Sequence, residues 1–313
     1  MIAIVGPTAV GKTAVGEVVA RSLHGEIVSA DSMQVYRGMD IGTAKAPATE
    51  RTVPYHCLDL VYPGTPYSAA LFQLDARTAI DNIIARSRTP VLVGGTGLYV
   101  RAALDDMRFP SGESEAPARQ RYEKLADDMG PEALHGLLAD RDPDSAALIH
   151  PNNVRRVVRA LEMADEGVSY ADQAAGLSRR SAIYPAVFVG LTMERDTLYA
   201  RVNDRVDAMI ERGLLGEVQR LLAEGHEDAL TATQAIGYKE LVSVIKEGTG
   251  LAEAILAIKQ ATRRYAKRQL TWFRADPRIK WLNVTDLSSQ EAATQALQLI
   301  ESSEPVESDA ADE

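Results

Sequence analysis

Residues 6–13 read Gly-Pro-Thr-Ala-Val-Gly-Lys-Thr and follow directly on the apolar run Ile2-Ala3-Ile4-Val5. This is G-x-x-x-x-G-K-[ST] with a strand-forming segment before it and a helix-forming segment after it. The pattern commits the chain to a strand–loop–helix unit. Its glycines let backbone N–H groups turn toward a phosphate, Lys12 adds a point charge, and the Thr13 hydroxyl is available to a divalent cation. The motif specifies a polyphosphate and is silent on which one.

The same rhythm continues over residues 1–107. Glu26–Ala30 and the run 90–97, Pro-Val-Leu-Val-Gly-Gly-Thr-Gly, read as second and third strands, and Phe72, Ala76, Ala79, Ile80 and Ile83 keep helical spacing. Residues 47–66 form a proline-rich loop around a short extended core, His-Cys-Leu-Asp-Leu. From Met107 the character changes, and the polar, proline-bearing run 109–119 marks a boundary. Helical structure is predicted over 117–139 and again after His150, where Val154, Val157, Val158 and Leu161 make an apolar stripe with Asn152 or Asn153 as N-cap. A strand is predicted over 186–193, followed by mostly helix to about 301. The expected fold is α/β, a P-loop NTPase-like parallel sheet core with a helical insertion domain. The expected segments are 1–107 (core, first part), 108–185 (insertion), 186–300 (core, second part) and 301–313, a disordered tail with six acids and no base.

Several function classes are excluded or disfavoured. The opening residues offer no basic n-region and no cleavable apolar segment. No apolar stretch approaches the roughly 20 residues needed to cross a bilayer. The single cysteine, Cys57, rules out an internal disulfide, and the five histidines have no metal-ligand spacing with it. A cytoplasmic protein with no membrane partner is expected. The third strand, Val91-Leu92-Val93, ends in Gly94-Gly95-Thr96 rather than an acid, and no N-K-x-D guanine reader occurs, which disfavours an NTP hydrolase or switch.

The acid that does follow a strand is Asp31. At the carboxyl edge of a parallel sheet it would enter the crevice beside the phosphate loop, as a general base or metal ligand. An Asx-turn is the alternative. Thr96 sits at a third strand end and could offer its hydroxyl to the same phosphates, or only close a tight turn.

The net charge of −10 argues against a nucleic-acid partner, but the charge is segregated. Arg155, Arg156 and Arg159 crowd one short helix. The window 259–280 holds Lys259, Arg263, Arg264, Lys267, Arg268, Arg274, Arg278 and Lys280 against Asp276 alone, with Tyr265, Trp272 and Phe273 interleaved. Basic rows with aromatics suit a phosphate backbone and an unstacked base; a solvated charged face is the alternative.

Taken together, the blocks 6–13, "SADSMQVYRGMDIGTAK", "VPYHCLDL", "VGGTGLY", "HPNNVRRVVRALE", "QAIGYKE" and "RYAKRQLTWFR" resemble the bacterial tRNA dimethylallyltransferases, in that family's order from residue 6 to 274. The resemblance implies transfer of a dimethylallyl group from dimethylallyl diphosphate to N6 of the adenosine 3′ to the anticodon, in tRNAs reading codons that begin with U. It implies Mg²⁺, held by Thr13, and an insertion that grips the anticodon stem-loop; a monomer is expected. Asp31 would be the catalytic base, assisted by Thr96 and Lys12. Gly6, Thr8, Ala9, Val10, Gly11, Lys12, Thr13 and Arg205 (or Arg201) would hold the diphosphate. Asp31, Ser32, Met33, Gln34, Thr96, Arg119, Arg121, Arg155, Arg156, Val157, Val158, Arg159, Gln234, Gly237, Tyr238 and Lys239 would meet tRNA. Arg155 stands where the family often has Gln. A P-loop small-molecule kinase using Asp31 as base is the alternative of another class.

Overall fold

The computed structural model describes residues 1–109, 117–178, 180–226 and 235–306. The chain forms two compact units, one from Met1–Asp105 together with the chain from Ala182 onward, the other from Asp106–Ser181.

The first unit is built on a sheet of six parallel strands: β1 Ile2–Val5, β2 Gly25–Ala30, β3 Tyr55–His56, β4 Thr89–Gly94, β5 Val187–Thr192 and β6 Ile279–Asn283, in the order β3-β2-β4-β1-β5-β6. The central strands β1 and β5 are buried along almost their whole length because both faces are covered. Before Asp105 its α-helices are α1 Lys12–Ser22, α2 Ala69–Ala85 and α3 Gly97–Leu104. Val5 of β1 is level with Gly94 of β4, and Gly94 is level with Ala30 of β2. Three strand ends therefore finish side by side, and the loops that follow them (Gly6 onward, Asp31 onward, Gly95 onward) leave from one edge.

The second unit contains α4 Pro117–Met129, α5 Pro131–Arg141, α6 Pro143–Leu148, α7 Val154–Asp165 and α8 Tyr170–Ser178. Tyr122, Leu134, Leu138, Val157, Val158 and Leu161 form its core. The stretch expected to be helical over 117–139 forms two helices, because Pro131 cannot donate to a preceding turn and instead opens α5. Asn153 is the N-cap of α7, but its side chain makes no capping hydrogen bond.

After the second unit the chain re-enters the sheet through an antiparallel bridge from Ala182 to Asp105. There follow β5, α9 Arg195–Glu211, α10 Leu214–Ala223, α11 Tyr238–Glu247, α12 Leu251–Arg274, β6 and α13 Ser289–Glu301. The strand β6 was not expected. Its five residues carry Lys280 and Asn283 and lie at the sheet edge, so they lack the apolar run that marks the inner strands. The acidic tail is ordered further than expected, since Val306 pairs with Ala186; residues 307–313 lie outside the described residues. Among the described residues, no helix is long and apolar enough to cross a membrane.

Candidate active site

The loop from Gly6 to Gly11 turns back on itself through left-handed backbone at Ala9 (φ 66°) and Gly11 (φ 100°). Gly6 has φ 146°, and a Cβ there would sit 2.5 Å from the Leu191 carbonyl oxygen, so only glycine fits. Gly11 caps α1 without a side chain, leaving the first helical amides for an external anion. Val10 points into the core, and Gly6 is buried, so both can serve an anion only through their backbone.

Lys12 lines a cavity of about 70 Å³ with Thr8, Thr13, Asp31, Gln34 and Arg205. Its Nζ donates to the Pro7 carbonyl at 2.6 Å. Burial and then the neighbouring Arg205 charge pull the Lys12 pKa down to about 7, against the opposing pull of Asp31. Burial likewise lowers the Arg205 pKa, and Asp31 raises it. Two cations this close favour an anion between them. Arg205 lines this cavity and its neighbour, whereas the other candidate, Arg201, is exposed and lines neither.

The adjoining chamber, about 290 Å³, is more apolar and includes Met33, Met209, Ile236, Tyr238 and Ile258. Thr8, Asp31, Thr43, Arg205 and Tyr265 line both spaces. Asp31 Oδ1 accepts the Met33 N–H at 2.9 Å, so the Asx-turn exists, and it orients the carboxylate at the junction. Among the described residues Oδ2 accepts no hydrogen bond. Thr96 departs from expectation. Its Oγ1 accepts the Ser32 N–H at 3.1 Å and its hydroxyl donates to Ser32 Oγ at 3.3 Å. It lines neither space, and braces the Asp31 turn instead of facing an anion. Gln34 accepts from Ser29 Oγ at 2.9 Å and donates to the Thr43 carbonyl at 3.2 Å.

Two residues of α12 hold this site together: Gln269, which had no role in the sequence reading, and Tyr265, which was read there only as an aromatic of the basic row. Gln269 of α12 accepts the Thr8 N–H at 2.8 Å and donates to the Gly95 carbonyl at 2.9 Å, tying the phosphate loop to the end of β4. Tyr265, one turn earlier, has Thr96 and Gln269 as polar neighbours, and burial pushes its phenol pKa up to about 12. The signal was a glutamine in the buried stripe Ile258, Ala266, Gln269, Phe273. On the far wall, Glu217 of α10 accepts the N–H groups of Asp40, Ile41 and Gly42 at 3.0, 2.8 and 3.2 Å, and the Tyr238 hydroxyl at 2.6 Å.

Of the residues expected to meet tRNA, Ser32, Met33, Gly237 and Tyr238 line the chamber, and Lys239 is exposed. Gln234 lies outside the described residues. In the second unit Arg155 and Arg156 are exposed. Val157 and Val158 are corrected to packing residues: both are fully buried in that unit's core and cannot contact a ligand through their side chains. Arg119 pairs with Glu162 at 2.9 Å, Arg121 with Asp165 at 2.6 Å, and Arg159 lies 3.5 Å from Glu162, so these arginines hold α4 to α7 or brace α7 itself.

Among the described residues, no three histidine, cysteine or carboxylate side chains cluster as a metal site. Beside the phosphate loop the cavity lining offers the Thr13 hydroxyl and a single carboxylate, Asp31, among otherwise neutral oxygens. That fits Mg²⁺, which keeps several waters and takes phosphate oxygens with one or two protein ligands, and does not fit a protein cage.

The IPP transferase family model matches residues 34–276. A tRNA dimethylallyltransferase of Geobacillus thermodenitrificans is 50% identical over 288 residues, 91% of each chain. One of Carboxydothermus hydrogenoformans is 48% identical over 287 residues, 90% of this chain and 91% of its own. A solved tRNA isopentenylpyrophosphate transferase from Bacillus halodurans superposes with a TM-score of 0.71 at 44% identity, over 96% of this chain and 95% of its own. A eukaryotic dimethylallyltransferase solved while acting on tRNA gives 0.81 at 30% identity, over 99% of this chain and 81% of its own. With a parallel sheet, a phosphate loop and a carboxylate at the adjoining strand end, this chain belongs to the IPP transferase family.

Proposed function

We propose that the chain transfers the dimethylallyl group of dimethylallyl diphosphate to N6 of the adenosine 3′ to the anticodon, in tRNAs reading codons that begin with U. The observation that carries this reading is Asp31, one carboxylate lining both a cationic cradle and a larger, more apolar chamber. The cradle suits diphosphate and the chamber suits a planar base with a five-carbon chain.

An adenine N6 amine is a poor nucleophile because its lone pair is delocalised into the ring. In the proposed reaction N6 attacks C1 of the donor, the C1–O bond breaks, and the electron pair leaves on diphosphate. Asp31 takes the proton from N6, a contribution of typically 10²- to 10⁴-fold for a general base. Lys12, Arg205 and the amides of the loop stabilise the charge growing on the leaving oxygen. Thr13 would hold Mg²⁺, which when bound supplies further neutralisation of the diphosphate. Thr96 acts through the Ser32 turn, holding Asp31 in place. The target nucleotide must leave the anticodon loop to reach the chamber, which costs less than extrusion from a duplex.

The test is to incubate the protein with unmodified tRNA carrying adenosine 3′ to the anticodon, Mg²⁺ and dimethylallyl diphosphate, without ATP. After digestion the nucleosides are weighed. A five-carbon prenyl gain on adenosine supports the reading. No gain, or a requirement for ATP, overturns it.

A further inference from the structure

Helix α12 runs past both spaces of the site, and its residues meet them in order along the axis. Ile258 and Thr262 line the larger chamber, Tyr265 lines both spaces, and Gln269 lines the cradle beside the phosphate loop. Positions 258, 262, 265 and 269 fall at i, i+4, i+7 and i+11, so they form one stripe on one side of the helix. At about 1.5 Å per residue, Tyr265 stands about 4.5 Å beyond Thr262 and about 6 Å short of Gln269. The stripe crosses from chamber to cradle at Tyr265.

Among the described residues, Thr8, Asp31, Thr43, Arg205 and Tyr265 line both spaces. In the proposed reaction Asp31 serves the N6 proton and Arg205 the diphosphate. The Thr43 hydroxyl donates to the Met39 carbonyl at 2.6 Å, and the Thr8 N–H donates to Gln269 at 2.8 Å. Tyr55 lines the cradle alone and Tyr238 the chamber alone. Tyr265 is therefore the one aromatic ring at the crossover among the described residues.

The ring is held in place and stays neutral. Its hydroxyl end lies beside Thr96 and Gln269, and burial pushes the phenol pKa up to about 12. Arg268 lies over the ring at 5.7 Å. That is near the outer limit of about 6 Å for a cation–π contact, and Arg268 is exposed, so the ring is not saturated by it. The proposed reaction has a use for such a face. As the C1–O bond lengthens ahead of bonding to N6, positive charge spreads over C1 and C3 of the allyl group. Diphosphate takes the electron pair and Asp31 the N6 proton, which leaves the allylic charge to be met at the crossover. An aliphatic wall cannot solvate that charge; an aromatic face can, without forming a bond or exchanging a proton.

We propose that Tyr265 is a further catalytic residue, whose π face meets the positive charge that develops on the allyl group between diphosphate and N6. The inference deepens the reading of prenyl transfer to tRNA and rests on it. It assigns the work to the ring and not to the hydroxyl.

The experiment measures single-turnover prenyl transfer to unmodified tRNA at saturating dimethylallyl diphosphate. Wild type is compared with Tyr265→Leu, with Tyr265→Phe, and with Tyr265→Phe carrying one, two or three ring fluorines as an unnatural amino acid. Fluorines drain the π face while nearly keeping its shape. Tyr265→Phe is expected within about threefold of wild type, because the face remains. The logarithm of the rate should fall steadily with fluorine count, to about 10- to 30-fold below Tyr265→Phe. Tyr265→Leu should match the trifluorinated variant. Dissociation constants for tRNA and dimethylallyl diphosphate should hold within about twofold throughout. A rate that is flat across the fluorinated series overturns the proposal even if Tyr265→Leu is slow, since packing does not respond to ring electronics. Tyr265→Phe as slow as Tyr265→Leu also overturns it, by assigning the effect to the hydroxyl. Failure of wild type to prenylate tRNA is a separate result, and removes the underlying reading together with this one.

Discussion

The Gln269 side chain accepts the Thr8 amide at 2.8 Å and, through its other atom, donates to the Gly95 carbonyl at 2.9 Å. One amide thus fixes the distance between the phosphate loop and the end of β4. Gln269→Glu keeps an acceptor for Thr8 but turns the donor toward Gly95 into a second acceptor. The variant is expected to lower kcat by about 10- to 100-fold through misplacement alone. The tRNA dissociation constant should hold within about twofold. A kcat near wild type would show that the bridge does not position the loop.

In the proposed reaction Lys12 is expected to make diphosphate binding pH-dependent. Its pKa of about 7 lies below its ordinary value because burial and Arg205 disfavour the charge. A bound anion restores the charge, so at pH 8 binding should draw close to one proton from solution. Calorimetry with diphosphate in buffers of different ionisation heat is expected to show nearly one more proton taken up by wild type than by Lys12→Met. Equal uptake would contradict the account. The stability sign follows from the same shift. Between pH 7 and the ordinary lysine value near 10.5 the unfolded chain binds the extra proton, so the Lys12 contribution to stability rises with pH across that window.

Glu217 holds the chamber wall. Three backbone amides and the Tyr238 hydroxyl converge on one buried carboxylate. Glu217→Ala leaves all four donors without their acceptor and should cost more than about 2 kcal/mol, whereas Tyr238→Phe removes a single bond and should cost about 1–2 kcal/mol. Urea unfolding at constant m-value measures both. Equal losses would mean that the three amides find other partners.

Glu26, on the inner strand β2, is an acid-sensitive group of the fold. Hydrogen bonds from Arg86 and then His56 hold its carboxyl down at about 2, against the effect of burial. A depressed carboxyl stabilises the fold above its unfolded pKa, near 4.5, and loses that contribution as pH falls toward 2. Glu26→Gln is therefore expected to be less stable than wild type at pH 7 and to converge with it near pH 2. A difference independent of pH would assign the effect to packing.

The legible parts of this fold are those where one residue pattern has one physical solution. The strand–glycine–lysine run could only be a phosphate loop on a parallel sheet, and Asp31 followed from the end of the next strand. The strand β6 was hidden because an edge strand needs no continuous apolar run. The break at Gly130-Pro131 was written in the sequence, since that dipeptide ends helices, but 117–139 was read only as helical, without a boundary. Val157 and Val158 were marked as core by their spacing and as contacts by resemblance; spacing was the better guide. Gln269 and Glu217 show the limit of reading a chain in one dimension. Each is a single polar residue in an apolar stripe, and only the tertiary contacts reveal that its partners are 261 and 175–177 residues away.

The central claim is that Asp31 serves the chemistry and the phosphate loop serves the leaving group. The most direct measurement is the single-turnover rate of prenyl transfer to tRNA by Asp31→Asn, taken alongside its tRNA and dimethylallyl diphosphate dissociation constants. The expected result is a rate 10²- to 10⁴-fold below wild type with both constants held within about twofold. A rate within tenfold of wild type, or binding lost in step with the rate, would contradict it.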